Sequence, residues 1–300
     1  MKARVQALSE LVEIAKSKGP QRVAVVAAHD PATLIAVTRA REEGLAHFIL
    51  VGDSEAMGEI AEEEGIDLTD VSIVDEPLPK PAARKAVELV NQGQAELLMN
   101  GLAQPRYLIE AALALGAGEL LAEIGVFEIP DFDHLILVGD IGVTASPTLE
   151  QKAAIVQSAI EVAHRLGIER PRVALLSPTE VVDPKIPISL EAAALSKMAH
   201  RGQIKGGFVD GPLALDIAIS PWSAQVKGIG GEVAGQADVL IVPDLDTGSL
   251  LAQTITCLAK GKMAGIVVGG RFPIAMPFPS DPPEARLASL ALGVLELLHN

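Results

Sequence analysis

Residues 22–43 read RVAVVAAHDPATLIAVTRAREE. An apolar run of strand length, RVAVVAA, is broken at His29 and Asp30 and followed by a longer segment with apolar residues at helical spacing, which predicts strand, turn and helix in that order. Asp30 supplies a capping carboxylate and Pro31 the fixed φ favoured at the first helical position. Outward from this stretch the pattern repeats: HFILVG (47–52) then a helical segment over 54–64, VSIV (71–74) then 80–91, ELLMNG (96–101) then 105–115. Such alternation predicts an α/β fold, a mostly parallel sheet with helices on both faces. Two further runs, IGVFEIP (124–130) and DHLILVGD (133–140), are joined by a turn too short for a crossover helix, so an antiparallel pair is expected there. A long helix is expected over about 148–166, after Pro147 and before Gly167. Strand and helix then alternate again through RVALLS (172–177), GGFVDG (206–211), ADVLIVP (237–243) and AGIVVGG (264–270). The domain change is placed near the long helix. Residues 1–145 with 278–300 form the first expected domain and 146–277 the second, the last helix (about 283–299) returning to the first.

The 300-residue chain is 49% hydrophobic, enough for a large core in two lobes. No apolar run reaches the roughly 18–20 residues of a membrane helix, and the opening MKARVQALSELVEIAKSKG is amphipathic; a soluble, cytoplasmic protein with no membrane partner is expected. A formal charge of −15 argues against a broad nucleic-acid surface, which needs clustered cations. A small anion can still find a local positive pocket, for which Arg201, Lys205, Lys227 and Arg271 are candidates, with solvated surface charge as the plainer reading of each. One cysteine, Cys257, allows no intramolecular disulfide and no thiolate zinc cluster, and its place in an expected helix suggests a packed thiol. The six histidines show no metal-ligand spacing, so no metal site is expected. No G-x-S-x-G elbow or Walker loop occurs, and the glycine-rich KGIGGEVAG (227–235) lacks the dinucleotide spacing and precedes a strand instead of following one.

The chemistry-bearing stretches are AALSKMAHRGQIKGGFVDGPLALD (193–216) and VAGQADVLIVPDLDTGS (233–249), which put acids and glycines at the ends of apolar strands, where open α/β sheets bind ligands. In the first, a strand is expected to end at Asp210, turn at Gly211 and pass into a helix from Pro212, with Asp216 one turn further in. Asp210 is either that helix's cap or a base or orienter of a thiol. In the second, Asp244, Asp246, Thr247 and Ser249 sit where a strand becomes a helix; the helix-start amides suit an anion, and Asp246 suits a plain cap equally well.

With these stretches, VFEIPDFDHL (126–135), AIEVAHRLGIERPRVALLS (159–177), EVVDPKIP (180–187) and AGIVVGG, the chain resembles the phosphate acetyltransferase and phosphate butyryltransferase family, nearest its butyryl branch. The resemblance implies a two-domain fold similar to the isocitrate and isopropylmalate dehydrogenases with a cleft between the domains. It also implies a homodimer or higher homo-oligomer, and reversible transfer of a short acyl group between coenzyme A and inorganic phosphate. Coenzyme A is then a substrate, and no tightly bound cofactor, metal or covalent intermediate is implied. Asp210, Asp216 and Asp281 are the implied acid–base and orienting groups; Asn100, Arg106, Asp244, Gly248, Ser249, Arg271, Ser280 and Arg286 are the candidate substrate contacts. The family's S-R-x-D-S stretch corresponds here to PFPSDPPEAR (277–286), with Phe278 and Pro279 in the places of serine and arginine and Asp281 in register. NGLAQPR (100–106) carries Asn100 in place of a lysine, and DLDTGS (244–249) carries Ser249 in place of an asparagine. These departures leave open a second reading, a protein that binds coenzyme A or acyl-CoA or serves in an assembly without transfer.

Overall fold

A computed structural model describes residues 4–118 and 120–297. The first strand and helix are β1 (Gln21–Val26) and α2 (Pro31–Glu42), preceded by α1 (Leu8–Lys16). The Asp30 carboxylate caps α2 by accepting from Thr33 N at 3.0 Å. The run continues with β2 (Ala46–Gly52), α3 (Ser54–Glu64), β3 (Ser72–Asp75), α4 (Pro79–Asn91), β4 (Leu97–Asn100) and α5 (Pro105–Ala114).

Then come β5 (Ala122–Glu128), β6 (Ile136–Gly139), α6 (Leu149–Arg165), β7 (Arg172–Leu176), α7 (Pro187–His200), β8 (Phe208–Leu213), α8 (Leu215–Ile219) and α9 (Pro221–Val226). After them follow β9 (Val239–Ile241), α10 (Leu245–Gln253) with a π-helical turn at Thr254–Leu258, β10 (Lys262–Val268), β11 (Ile274–Ala275) and α11 (Pro283–Leu297).

The chain divides into two compact units. A terminal unit comprises Ala7–Leu121 with the segment from Met263 onward, and a central unit comprises Ala122–Lys262 with the segment up to Gln6. Strand order in the terminal unit is β3-β2-β1-β4-β11-β10, parallel from β3 through β11 and antiparallel between β11 and β10. In the central unit it is β5-β6-β9-β7-β8, where β5 and β6 form the expected antiparallel pair and the others run parallel. The mixed α/β character read from the alternation is therefore the observed one. Helix α6 matches its expected span closely, because Thr148 and Gln151 form a reciprocal capping box at its start.

Three local expectations are corrected. No helix begins at Pro212: β8 runs on to Leu213, whose carbonyl accepts from Ser177 N at 2.9 Å, and α8 starts at Leu215 with Asp216 in its first turn. Pro212 is tolerated because β8 is the outermost strand of its unit's order, where a residue without an N–H deprives no second neighbour. Asp244, not Asp246, caps α10. Cys257 is exposed on the π-helical turn, not packed.

Helix α11 is buried along most of its length and packs on α1 and α2. Its Ser289 is satisfied locally: Oγ accepts from Gly265 N at 3.0 Å and donates to Ala285 O at 3.0 Å.

Candidate active site

In the central unit the apolar strand β6 ends in an acid that sequence reasoning passed over. Asp140 is 3% exposed, and its carboxylate accepts four backbone N–H groups: Oδ1 from Glu123, Gly142 and Val143, each at 3.1 Å, and Oδ2 from Thr144 at 2.8 Å. Burial pushes this carboxyl above its ordinary value, with the four amides pulling the other way. The loop so formed lies against the start of α10. Leu245 N donates to Ala145 O at 3.2 Å, and Gly248 approaches so closely that a Cβ there would sit 2.4 Å from Asp140 O. The readable signal was an acid and a glycine ending an apolar run, the same signal that singled out Asp210.

The α10 start expected to bind an anion uses most of its donors internally. Asp244 Oδ1 accepts from Thr247 N at 2.9 Å and from Thr247 Oγ1 at 2.7 Å, while Gly248 N donates to Asp244 O at 3.1 Å. Ser249 Oγ accepts from Gln253 Nε2 at 3.0 Å. Asp210 is half-buried, with Oδ1 accepting from Gly211 N at 2.9 Å and Oδ2 turned towards Gly231 of the glycine-rich loop. Asp216 lies in solvent, bonded to Lys227 Nζ at 3.1 Å, and that ammonium holds its carboxyl below the usual range. Asp216 is thus ionised but well solvated, and Lys227 is a surface partner; Arg201 and Lys205 are exposed. Lys152, another cation of this unit, is unlike them. It lies on α6, is 6% exposed and pairs with Glu191 of α7, beside Leu175, Leu195 and Val242. No sequence signal separates such a lysine from a surface one.

In the terminal unit, Asn100 ends β4 fully buried. Its Nδ2 donates to Ala103 O at 2.9 Å, fixing the 100–103 turn, and its Oδ1 has no hydrogen-bond partner among the described residues. Arg106 is exposed, its guanidinium 5.0 Å from the centroid of the neighbouring Tyr107 ring. Tyr107 lines a groove of about 520 Å³ between α4 and α5, where Lys80 and Arg84 are paired with Glu110 and Glu88. Arg271 is exposed with no side-chain hydrogen bond or ion pair among the described residues.

The altered stretch 277–286 folds as a turn leading into α11. Ser280 and Pro279 are exposed, Phe278 is half-buried and Asp281 is 9% exposed. Asp281 closes the turn twice: Oδ2 accepts from Phe278 N at 2.8 Å, and its own N–H donates to Phe278 O at 3.0 Å. Burial raises its carboxyl to about 6, against the opposing pull of the Phe278 N–H and the Arg286 guanidinium. Arg286 itself is 0% exposed, and its donors go to protein oxygens, so its side chain is engaged inside the unit instead of facing solvent.

A raised native pKa means that the folded state holds its proton more tightly than the unfolded chain. The associated stabilisation is complete below the unfolded value of 3.8 and is lost as pH rises through about 6. Parent and Asp281→Asn are therefore expected to diverge between about pH 4 and 6.5, the parent losing about 2–3 kcal/mol relative to the variant over that window. Urea unfolding at each pH reads the difference. Parallel curves would show that Asp281 titrates like a solvated acid.

Comparison with known proteins bears on what this arrangement is for. Residues 78–281 match the family model described as phosphate acetyl/butaryl transferase. The chain is 42% identical over 295 residues to a phosphate butyryltransferase of Clostridium acetobutylicum, covering 97% of this chain and 98% of that protein. It is 41% identical over 292 residues to a phosphate acetyltransferase of Thermotoga maritima, covering 96% and 99%. Among solved structures, a branched-chain phosphotransacylase from Enterococcus faecalis V583 superposes with a TM-score of 0.79 at 29% identity, covering 93% of this chain and all of that one.

Proposed function

Because the chain belongs to the phosphate acetyl/butyryl transferase family, we infer that it transfers a short acyl group between coenzyme A and inorganic phosphate. The observation that carries this reading is the match along 97% of the chain to a relative named for that reaction. In the direction that consumes acyl-CoA, a phosphate oxygen attacks the thioester carbonyl carbon to give a tetrahedral oxyanion. Its collapse breaks the C–S bond, leaving acyl phosphate and a thiolate that takes up a proton. In the other direction a base must remove that proton from the thiol.

Of the three candidate acids, Asp281 suits proton transfer best, since a carboxyl held near pH 6 by burial is closer to working pH than a solvated one. Asp216, ion-paired in solvent, suits it least. Asp210 serves as an orienting group beside the glycine-rich loop. Phe278 and Pro279 bring no charge to the phosphate, and the exposed Arg271 is the cation proposed to meet it, its fork matching two phosphate oxygens. Ser280, Asn100, Arg106, Asp244, Gly248 and Ser249 remain proposed substrate contacts. Coenzyme A is read as a substrate with no resident cofactor. The oligomer is read as a homodimer whose second copy covers exposed apolar side chains of the central unit such as Trp222 (72% exposed) and Leu258 (79% exposed). No described helix is long and apolar enough to cross a membrane, which fits a proposed cytoplasmic location.

The test is thiol release from acetyl-, propionyl- and butyryl-CoA, dependent on added phosphate, by the pure protein. Turnover with at least one is expected, together with a rise on Pro279→Arg as the family's arginine is restored. Absence of thiol release from all three, by parent and Pro279→Arg alike, would sink the transferase reading. Tight calorimetric binding of CoA without turnover would support the binding-protein alternative.

A further inference from the structure

Arg286 is the largest fully buried side chain among the described residues, set in a helix whose other residues are mostly apolar. A charged group is kept in such a place only when its donors are satisfied and its charge is met. Both conditions hold, and the partners form a pattern. Nε donates to Asp281 O at 3.1 Å and Nη2 to Pro279 O at 2.7 Å, so two of the three bonds grip the backbone of the turn that carries Asp281. The third runs from Nη1 to Thr33 Oγ1 at 2.9 Å, on the first turn of α2, and the α2 cap Asp30 lies 3.6 Å from Nη2. Thr33 is 0% and Asp30 6% exposed, and Asp30 Oδ2 has no hydrogen-bond partner among the described residues. Outside this cluster, Arg39 of α2 pairs with Glu284 of α11 at 2.7 Å, a second tie between the same helices in solvent.

We propose that Arg286 is a positioning residue for transfer: it locks the 277–281 turn onto the start of α2 and so fixes where the Asp281 carboxyl sits. The inference rests on the reading of Asp281 as the acid–base group. A planar fork that bonds two carbonyls of one turn and a hydroxyl of another element holds both against relative movement, which a single-point ammonium does not. Its charge acts on the same carboxyl. The groups facing Asp281 are the Phe278 N–H from its own turn, the guanidinium from α11, and behind that the Asp30 carboxylate from α2, which draws on the same cation. Removing the guanidinium leaves burial opposed only by Phe278, so Asp281 would hold its proton to higher pH.

The experiment compares kcat/KM for phosphorolysis against pH, and the 13C titration of the Asp281 carboxyl, in parent, Arg286→Met, Arg286→Lys, Thr33→Val, Asp30→Asn and Asp281→Asn. Arg286→Met is expected to move the acid limb and the 13C midpoint upward by up to about one pH unit, since an unlike charge holds a carboxyl's pKa down and the guanidinium is the smallest of the three influences on Asp281, with kcat down at least about tenfold. Arg286→Lys keeps the charge, so its midpoint stays nearer the parent's while kcat falls. Asp30→Asn frees the guanidinium from a competing carboxylate and moves the midpoint down, and Thr33→Val lowers kcat with the midpoint unmoved. A folded Arg286→Met with parental kcat and midpoint overturns the proposal. If that variant does not fold, parental behaviour of both Thr33→Val and Asp30→Asn overturns it. Full activity in Asp281→Asn instead sinks the acid–base reading, and the 13C midpoints still report whether Arg286 governs this carboxyl if no acyl-CoA is turned over.

Discussion

Asp140→Ala is expected to lose about 3–5 kcal/mol of unfolding free energy, the range reached when a buried hydrogen-bond network loses its centre. The carboxylate accepts from four amides, those of Glu123, Gly142, Val143 and Thr144, at a site 3% exposed. Alanine leaves them facing a small void. Each unsatisfied amide costs roughly 1–3 kcal/mol, and water entering the void recovers part of the sum, so the total stays below four independent losses. Asp140→Asn is expected to lose less. The amide oxygen it introduces serves the three bonds made by Oδ1, but the new NH2 faces the Thr144 N–H, donor against donor. Urea unfolding measures both, and an Asp140→Ala loss below about 1 kcal/mol would mean that the loop closes without its carboxylate. The effect has a pH signature: burial raises this carboxyl, so the ionised form is the costly one and the gap between parent and alanine variant narrows as pH rises through the native pKa.

Gly248→Ala produces the second large effect, from the other side of the same junction. Its Cβ would lie 2.4 Å from Asp140 O and 3.2 Å from Ile141 Cα, both backbone atoms with no rotamer to retreat into. The start of α10 must move away from the Asp140 loop, breaking the bond from Leu245 N to Ala145 O. We expect about 2–3 kcal/mol of destabilisation, as for overpacked cores. Transfer activity should fall by about 100-fold, the order seen when a site residue is misplaced by an ångström. Thiol release and urea unfolding on the same preparation check both numbers. Because the two substitutions share one contact, the double variant should fall short of the sum of the singles.

The alternation over 22–115 was legible because each strand is short and apolar and most helices open with a recognisable signal; Asp30 before Pro31 and Thr148 with Gln151 are local devices, complete within four residues. Pro212 misled because proline at a strand end usually announces a helix, and only knowledge that β8 has a single neighbour makes it a strand residue. Candidate positions could be picked from the sequence where an acid ends an apolar run, as at Asp210 and Asp244, and the structure places Asp244 as the cap of α10. What remained hidden was long-range. Arg286 meets Thr33 across 253 positions and Lys152 meets Glu191 across 39, and nothing local distinguishes either from the exposed cations that Arg and Lys usually are.

Proline at position 212 has a consequence for solubility as well as for local geometry. The outer strand of a sheet offers a row of free amides and carbonyls to which another chain can add a strand of its own, the first step of ordered aggregation. On β8 that row is interrupted by a residue with no amide hydrogen two positions after a charged side chain, Asp210. At the far side of the terminal unit, β3 is four residues long and ends in Asp75. Strands β8 and β3 thus each carry an obstacle to strand addition, so replacing Pro212 with a β-branched residue should make concentrated protein more prone to fibrillar association.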